Sequence, residues 1–170
     1  MYWTDKHVLC CTASHCAQKG ANDVIALLRR EVMKRGLDKE ILVNNCGTID
    51  LCDIGPNIVV YPDNVIYSGV VKADIPALVD ALAAGEVLER LRLGPDTPAE
   101  ANRRAFYAEA VASGGPLATD AFVALAVRHG LDEAWVGEQQ RRGFVARRPA
   151  ADDQPETCFP TSKARNRYGV

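Results

Sequence analysis

Residues 7–16 read HVLCCTASHC, a short apolar run followed by polar residues and a further cysteine. The run over 7–11 is apolar and brief, which is typical of a strand buried in a sheet. Turn-forming residues follow at 12–14, and a helical pattern comes next. The stretch therefore predicts a strand, a tight turn and a helix start, with Cys11 and Cys16 on the two sides of the turn.

Strand and helix patterns alternate through the first half of the chain. In the first predicted helix, over 17–35, Val24, Leu28 and Val32 recur at helical spacing and predict its core-facing side. Gly36 can supply the left-handed residue that ends this helix. Further strands and a second helix are predicted over 41–43, 57–61, 65–70 and 74–84. The order is β-α-β-β-β-α, which indicates an α/β sandwich.

The chain beyond residue 93 shows a different pattern. Thr97, Pro98 and Glu100 combine a cap, a proline suited to the first helical position and the acid of a capping box, so they predict a helix start. Two more helices are predicted over 120–129 and 132–142, and the polar, proline-containing end predicts an extended tail. The expected organisation is an α/β domain over 1–93, a helical extension over 94–148 and an extended tail over 149–170.

The composition limits the function classes. Hydrophobic residues make up 48% of the 170 residues and charged residues 25%, which is ordinary for a folded protein with its own core. The net charge of -2 gives no strong field toward nucleic acid or an anionic membrane. The N-terminus lacks the basic-then-apolar order of a signal peptide, and the apolar runs are shorter than a transmembrane helix. We therefore expect a cytoplasmic protein that binds neither nucleic acid nor membrane.

Five of the six cysteines lie between residues 10 and 52. In a reducing compartment, such a group is more often a metal or redox site than a set of disulfides. Four residues separate Cys11 from Cys16, and five separate Cys46 from Cys52. Adjoining strand ends would bring both pairs to one place, where four thiolates are the usual ligands of a [2Fe-2S] cluster. Zinc is the chemical alternative, although structural zinc sites favour pairs about two to four residues apart.

The remaining cysteines have other expected roles. Successive strand side chains point to opposite faces, so Cys10 and Cys11 cannot easily both reach one cluster. We assign Cys11 as the ligand because it lies nearer the loop with Cys16, and we predict that Cys10 is a small buried apolar residue. Cys158 lies in the polar tail and is expected to be a bystander or a partner-contact residue. His15 leaves a mixed His/Cys site as an alternative, although a solvent-facing histidine is the simpler interpretation.

Five segments of the first 93 residues together resemble a known family. They read KHVLCC at 6–11, CAQKG at 16–20, CDIGPNIVVYPD at 52–63, VIYSGV at 65–70 and GEVLERL at 85–91. Residues 5–93 resemble the thioredoxin-like [2Fe-2S] ferredoxins, which are related to the cluster-bearing small subunit of NADH:quinone oxidoreductases. The resemblance covers a little over half of the chain and implies a thioredoxin-like fold, with the C-terminal helical extension appended to it.

The resemblance also implies a ligand set and a function. Cys11 and Cys16 match the family's first ligand pair, and Cys52 matches its last ligand. Cys46 matches the third ligand, although more residues separate it from Cys52 than is usual in the family. The implied protein is a one-electron carrier rather than a complete enzyme, often a homodimer, that exchanges electrons with a partner oxidoreductase. The extension after about Gly94 has no counterpart in the family, so a protein whose redox state switches its binding to a partner enzyme, protecting or regulating it, is the alternative.

Overall fold

The computed structural model describes residues 4–49, 51, 54–151 and 155–170. The chain divides into two compact units, Met1–Gly94 and Pro95–Val170. Each unit has its own sheet and its own buried core. The architecture of each unit can therefore be understood from its own residues.

Among the described residues, the first unit contains a five-stranded mixed sheet. Its strands are β1 (Lys6–Cys11), β2 (Ile41–Cys46), β3 (Ile58–Tyr61), β4 (Val65–Tyr67) and β5 (Arg92–Leu93). They lie in the order β2-β1-β3-β4-β5. β1 and β2 are parallel, and the other neighbouring pairs are antiparallel. The predicted α/β fold is confirmed, with β5 as an added edge strand too short to leave a pattern in the sequence.

The helices of the first unit are α1 (Ser14–Gln18), α2 (Ala21–Lys34) and α3 (Ile75–Ala84), with single 3-10 turns at Lys72–Asp74 and Glu89–Leu91. The prediction of one continuous helix over 17–35 was therefore wrong at its start. Gly20 has a φ of 90°, a left-handed conformation that a right-handed helix cannot contain, and it caps α2. As a result, Cys16 lies inside α1 rather than ahead of a long helix.

The core of the first unit lies on one face of the sheet. α2 contributes Val24, Leu28 and Val32, and α3 contributes Leu78 and Leu82. These side chains pack against the inward-facing strand residues Val8, Cys10, Ile41, Val43, Ile58, Val60 and Tyr67. Because strand side chains alternate, the other residues of β1 are left on the opposite face of the sheet.

The second unit combines helices with a small sheet. Its elements are α4 (Pro98–Ala112), β6 (Leu117–Ala118), α5 (Thr119–Arg128), α6 (Glu133–Arg141), β7 (Val145–Arg148), β8 (Thr157–Pro160) and α7 (Ser162–Tyr168). The strands lie in the order β6-β8-β7, and both neighbouring pairs are antiparallel. The three helices predicted from the sequence correspond to α4, α5 and α6.

The extended tail predicted over 149–170 was wrong, because this stretch contributes β8 and α7. Cys158, Ala164 and Tyr168 are buried in the core of the second unit. These apolar positions are isolated among polar residues, so no hydrophobic period registers in the sequence. The helical extension predicted over 94–148 likewise includes the strands β6 and β7, which pair with β8.

An aromatic group at the centre of the second unit explains how a mostly polar sequence folds there. The ring of Phe106 meets those of Tyr107, Phe122 and Trp135 edge to face, at centroid distances of 5.0, 5.2 and 5.3 Å. Tyr168 of α7 stacks on Tyr107 at 4.7 Å. Aromatic side chains bury large areas and gain from such edge contacts, so a few of them can stabilise a small core.

Within the described ranges, no helix combines the length and apolar character required to cross a bilayer. The longest, α4, has 15 residues, whereas a spanning helix needs about 20.

Candidate metal centre

Cys11 and Cys46 are the last residues of β1 and β2 and lie side by side in the sheet. The two strands are parallel, so their carboxyl ends meet at one edge, and the register pairs Cys11 with Cys46. Just beyond β1, the backbone N–H and the hydroxyl of Thr12 donate to the carbonyl of Cys46 at 3.0 and 3.1 Å. The fold thus joins two cysteines that are far apart in the sequence.

Cys16 reaches the same place from α1. Cys11 and Cys16 are fully buried and form a small apolar group with Ala21 at the start of α2. Cys46 is half-buried and packs against this group. We refer to Cys11, Cys16 and Cys46 as the cysteine cluster. The structure therefore brings together three of the four residues predicted to hold the iron–sulfur cluster.

The fourth predicted ligand, Cys52, lies outside the described residues, and its role stays a prediction. The described residues that follow it are firmly anchored. The N–H groups of Gly69 and Val70 donate to the carbonyls of Ile54 and Pro56 at 2.8 and 3.1 Å. These bonds hold the loop before β3 against the end of β4.

Gly55 lies against Cys16 of the cysteine cluster. A Cβ atom placed on Gly55 would lie 2.5 Å from Sγ of Cys16 and 3.6 Å from its Cβ. A distance of 2.5 Å is far inside van der Waals contact, so only glycine fits where the loop crosses Cys16. By contrast, a Cβ on Gly47 would meet no described atom within 4 Å.

Sequence reasoning missed Asn57, a side chain that is 1% exposed beside Cys16. Its backbone carbonyl accepts the N–H of Cys11 at 2.9 Å. Its side-chain Nδ2 lies 2.6 Å from the carbonyl of Leu51 and 4.0 Å from Sγ of Cys16. The signal available in the sequence was a lone amide directly before the apolar strand β3, where its burial requires hydrogen-bond partners.

The electrostatics of the cysteine cluster disfavour a free thiolate at Cys46. Burial raises the pKa of the Cys46 thiol, and the nearby charge of a Cys11 thiolate raises it further. Two thiolates so close together in a buried site repel each other, so their joint deprotonation requires positive charge beside them. A metal centre provides that charge, since a coordinating thiol is deprotonated outright.

Cys10 is a different kind of cysteine. Burial, and next the charge of Cys46, raise the pKa of Cys10 to about 12. The free thiol of Cys10 is therefore neutral at physiological pH. It packs in the main core, whereas Cys11 belongs to the group that contains Cys16. Because side chains alternate along β1, Cys10 and Cys11 lie on opposite faces of the sheet, as the sequence predicted.

The donor set of the cysteine cluster consists of thiols. Thiolates are soft ligands that favour iron–sulfur clusters and zinc. Over 4–49, 51, 54–151 and 155–170, no three Cys, His, Asp or Glu side chains converge closely enough to hold one metal ion. A [2Fe-2S] cluster is held by four thiolates. The buried thiols, the close crossing of Gly55 and the Asn57 amide together fit such a cluster.

The other candidate residues lie elsewhere. His15 is exposed although it neighbours Cys16. Cys158 is fully buried in the second unit, where Gln140 Nε2 donates to its Sγ at 3.4 Å. Its burial excludes the partner-contact role that the sequence left open for it.

Comparisons with known proteins point to one family. No family model matches the chain. The chain is 31% identical over 96 residues to a 2Fe-2S ferredoxin of Clostridium pasteurianum. The alignment covers 51% of this chain and 94% of that protein. The chain is also 31% identical over 103 residues to a 2Fe-2S ferredoxin of Aquifex aeolicus. This alignment covers 55% of this chain and 93% of that protein.

A structural comparison agrees with these relatives. The crystal structure of the thioredoxin-like [2Fe-2S] ferredoxin from Aquifex aeolicus superposes with a TM-score of 0.51 at 30% identity. The superposition covers 54% of this chain and 98% of that chain. The matches thus span nearly all of each relative but only about half of this chain, a length close to that of the first unit.

Four cysteines are expected to be indispensable for the iron–sulfur cluster. Replacing Cys11, Cys16, Cys46 or Cys52 by Ala removes a thiolate and should lower iron and labile sulfide per chain several-fold or abolish them. Metal analysis and the visible absorption spectrum measure this loss. Cys10→Ala and Cys158→Ala are the controls and should retain the cluster. Loss in Cys10→Ala together with retention in Cys11→Ala would contradict the assignment of the strand faces.

Gly55→Ala is expected to displace the Cys16 thiol, because the new Cβ would lie 2.5 Å from its Sγ. We expect a several-fold loss of bound iron, with the far-ultraviolet circular dichroism of the rest of the protein retained. Gly47→Ala is the matched control, since a Cβ there meets none of the described atoms within 4 Å. Equal iron content in both variants would show that the crossing at Gly55 does not constrain the site.

Proposed function

The chain belongs to the thioredoxin-like [2Fe-2S] ferredoxins, and we propose that it is a one-electron carrier that passes electrons to or from a partner oxidoreductase. Its cofactor is a [2Fe-2S] cluster. The observation that carries the proposal is the meeting of Cys11, Cys16 and Cys46 at one edge of the sheet. When bound, the cluster supplies reversible one-electron chemistry, and the protein sets potential, access and choice of partner.

The residues of the site would have separate roles in electron transfer. Cys11, Cys16 and Cys46 would hold the cluster, together with Cys52 as the predicted fourth ligand. Full burial of Cys11 and Cys16 keeps water from the inner side of the site. Cys46 is only half-buried, so it marks the side from which an electron would enter or leave. A site that is closed on one side and open on the other suits electron transfer to a docked protein.

A carrier of this kind requires a partner. The sequence contains neither a phosphate-cradling glycine-rich motif nor a catalytic triad, which supports a protein that is not a complete enzyme alone. We propose that an oxidoreductase is the redox partner and that the protein is a homodimer, as its resemblance to the family implies. Neither nucleic acid nor a membrane is part of the proposal, and the proposed compartment is the cytoplasm.

The second unit favours one alternative function. Its aromatic core, centred on Phe106, gives it a fixed surface of its own, unlike a flexible tail. A fixed surface in the same chain as a redox domain suits a protein whose redox state switches its binding to a partner enzyme, protecting or regulating it. Rapid electron exchange with a reductase supports the carrier, whereas binding of the partner in one redox state only supports the switch.

The purified protein is expected to be red-brown, with about two irons and two labile sulfides per chain. It should accept one electron reversibly and give a paramagnetic reduced state, because one iron of the pair changes valence. Potentiometric titration followed by electron paramagnetic resonance measures both properties. A colourless protein with one zinc per chain, obtained from iron-replete cells, would contradict the proposal.

A chain that ends at Gly94 is expected to keep its visible spectrum, since the main core and the cysteine cluster lie in the first unit. The same truncation should weaken association with a partner or a second copy several-fold, as measured by sedimentation and by isolation of the native complex under anaerobic conditions. Full-length Phe106→Ala is the matched variant, because loss of a buried Phe costs about 3–5 kcal/mol and should unfold the second unit alone. If both the truncated chain and the Phe106→Ala variant associate as strongly as the native protein, the second unit has no role in docking.

A further inference from the structure

Among the described residues, Asn57 is the most deeply buried polar side chain around the cysteine cluster. It is 1% exposed and lies directly before β3. Burying an amide in an apolar site is unfavourable unless its hydrogen-bonding groups find partners. The contacts of Asn57 therefore indicate why this position holds an amide where the neighbouring strand is apolar.

The orientation of the amide follows from its contact with Leu51. The carbonyl oxygen of Leu51 is only an acceptor, so the side-chain atom 2.6 Å away must be the donor Nδ2. Nδ2 carries a second N–H. Sγ of Cys16 lies 4.0 Å from Nδ2, which is a long distance for a hydrogen bond to sulfur. One amide nitrogen thus connects the loop at Leu51 with a predicted ligand sulfur.

The amide oxygen of Asn57 has no such partner. Among the described residues, no group donates to Oδ1, although the atom is buried. A buried acceptor without a hydrogen bond is unfavourable for stability. The side chain is therefore held by its N–H groups, at a cost that a purely apolar residue of the same size would avoid.

The backbone fixes where these N–H groups point. The carbonyl of Asn57 accepts the N–H of Cys11 at 2.9 Å. A Cβ on Gly55 would lie 3.4 Å from Nδ2, so the crossing loop packs against the amide as well. Asn57 consequently contacts three segments of the site at once, at Cys11, Leu51 and Cys16.

We propose that Asn57 is a positioning residue that donates its second Nδ2–H to the Cys16 thiolate and thereby raises the reduction potential. The inference rests on the proposed electron-carrier function. A reduced [2Fe-2S] centre carries one more negative charge than the oxidised one, so a donor to a ligand sulfur stabilises the reduced state more. The first N–H, on Leu51, keeps the loop and the donor in place.

The test compares midpoint potentials in the full-length protein. Asn57→Leu keeps the size but removes both donors, and Asn57→Asp replaces them by a carboxylate. Both variants should shift the potential to lower values, the Asp variant further, while iron content per chain is retained. Asn44→Leu is the matched control, because Asn44 lies on β2 two residues from Cys46 and its side chain contacts His7 at 3.2 Å. A potential equal to that of the native protein in both Asn57 variants would overturn the proposal.

A second measurement uses the native protein, in case the variants lose their cluster. Asparagine labelled with 15N only at the side-chain amide is incorporated, and the reduced protein is examined by pulsed electron paramagnetic resonance. A 15N coupling transmitted through the N–H···S contact is the expected result, and its absence would overturn the role of Asn57. A native protein that forms no reducible cluster would instead overturn the proposed function, so the two failures are distinguishable.

Discussion

The parallel pairing of β1 with β2 is the interaction on which the site depends. Because these strands run in the same direction, Cys11 and Cys46 end at the same edge and face each other across the register. Parallel strands require a crossover connection, which here contains α1 and α2. That connection carries Cys16 over the same edge. A shift of one residue in this register would move Cys46 away from Cys11 and reverse which face of the sheet its side chain occupies.

The two faces of the sheet have different roles: one packs against the main core, and the other carries Cys11 of the cysteine cluster. Alternate side chains of β1 face the core beneath α2 and α3, so Cys10 is a neutral structural residue while its neighbour Cys11 belongs to the cysteine cluster. The raised pKa of Cys10 is a consequence of that burial. Around Cys11 and Cys16, on the opposite face of the sheet, close packing shapes the cysteine cluster. Gly55 brings the backbone close to Cys16, and Asn57 brings an amide donor, so both bulk and polarity influence what the thiol can bind.

The second unit is stabilised by different means. It gathers aromatic rings around Phe106 and surrounds Phe144 with cations, as Arg142, Lys163 and Arg167 lie within 4.6–5.5 Å of that ring. Cation–π contacts of this type let a basic surface coexist with a buried aromatic residue. A small unit with few aliphatic residues can thereby hold a fixed shape.

The sequence by itself determined the redox chemistry and the architecture of the first unit. Cysteine type and spacing, helical periodicity and the alternation along β1 are local properties, so they predicted the α/β fold, the candidate ligands and the separation of Cys10 from Cys11. Only the tertiary structure decided that Gly20 divides the first helix, that Asn57 contacts Cys16, and that the polar C-terminal stretch forms β8 and α7. Each of these depends on residues distant in sequence. A single buried side chain such as Tyr168 has no periodic pattern, and its place is set by the ring of Tyr107, 61 positions earlier in the chain, on which it stacks.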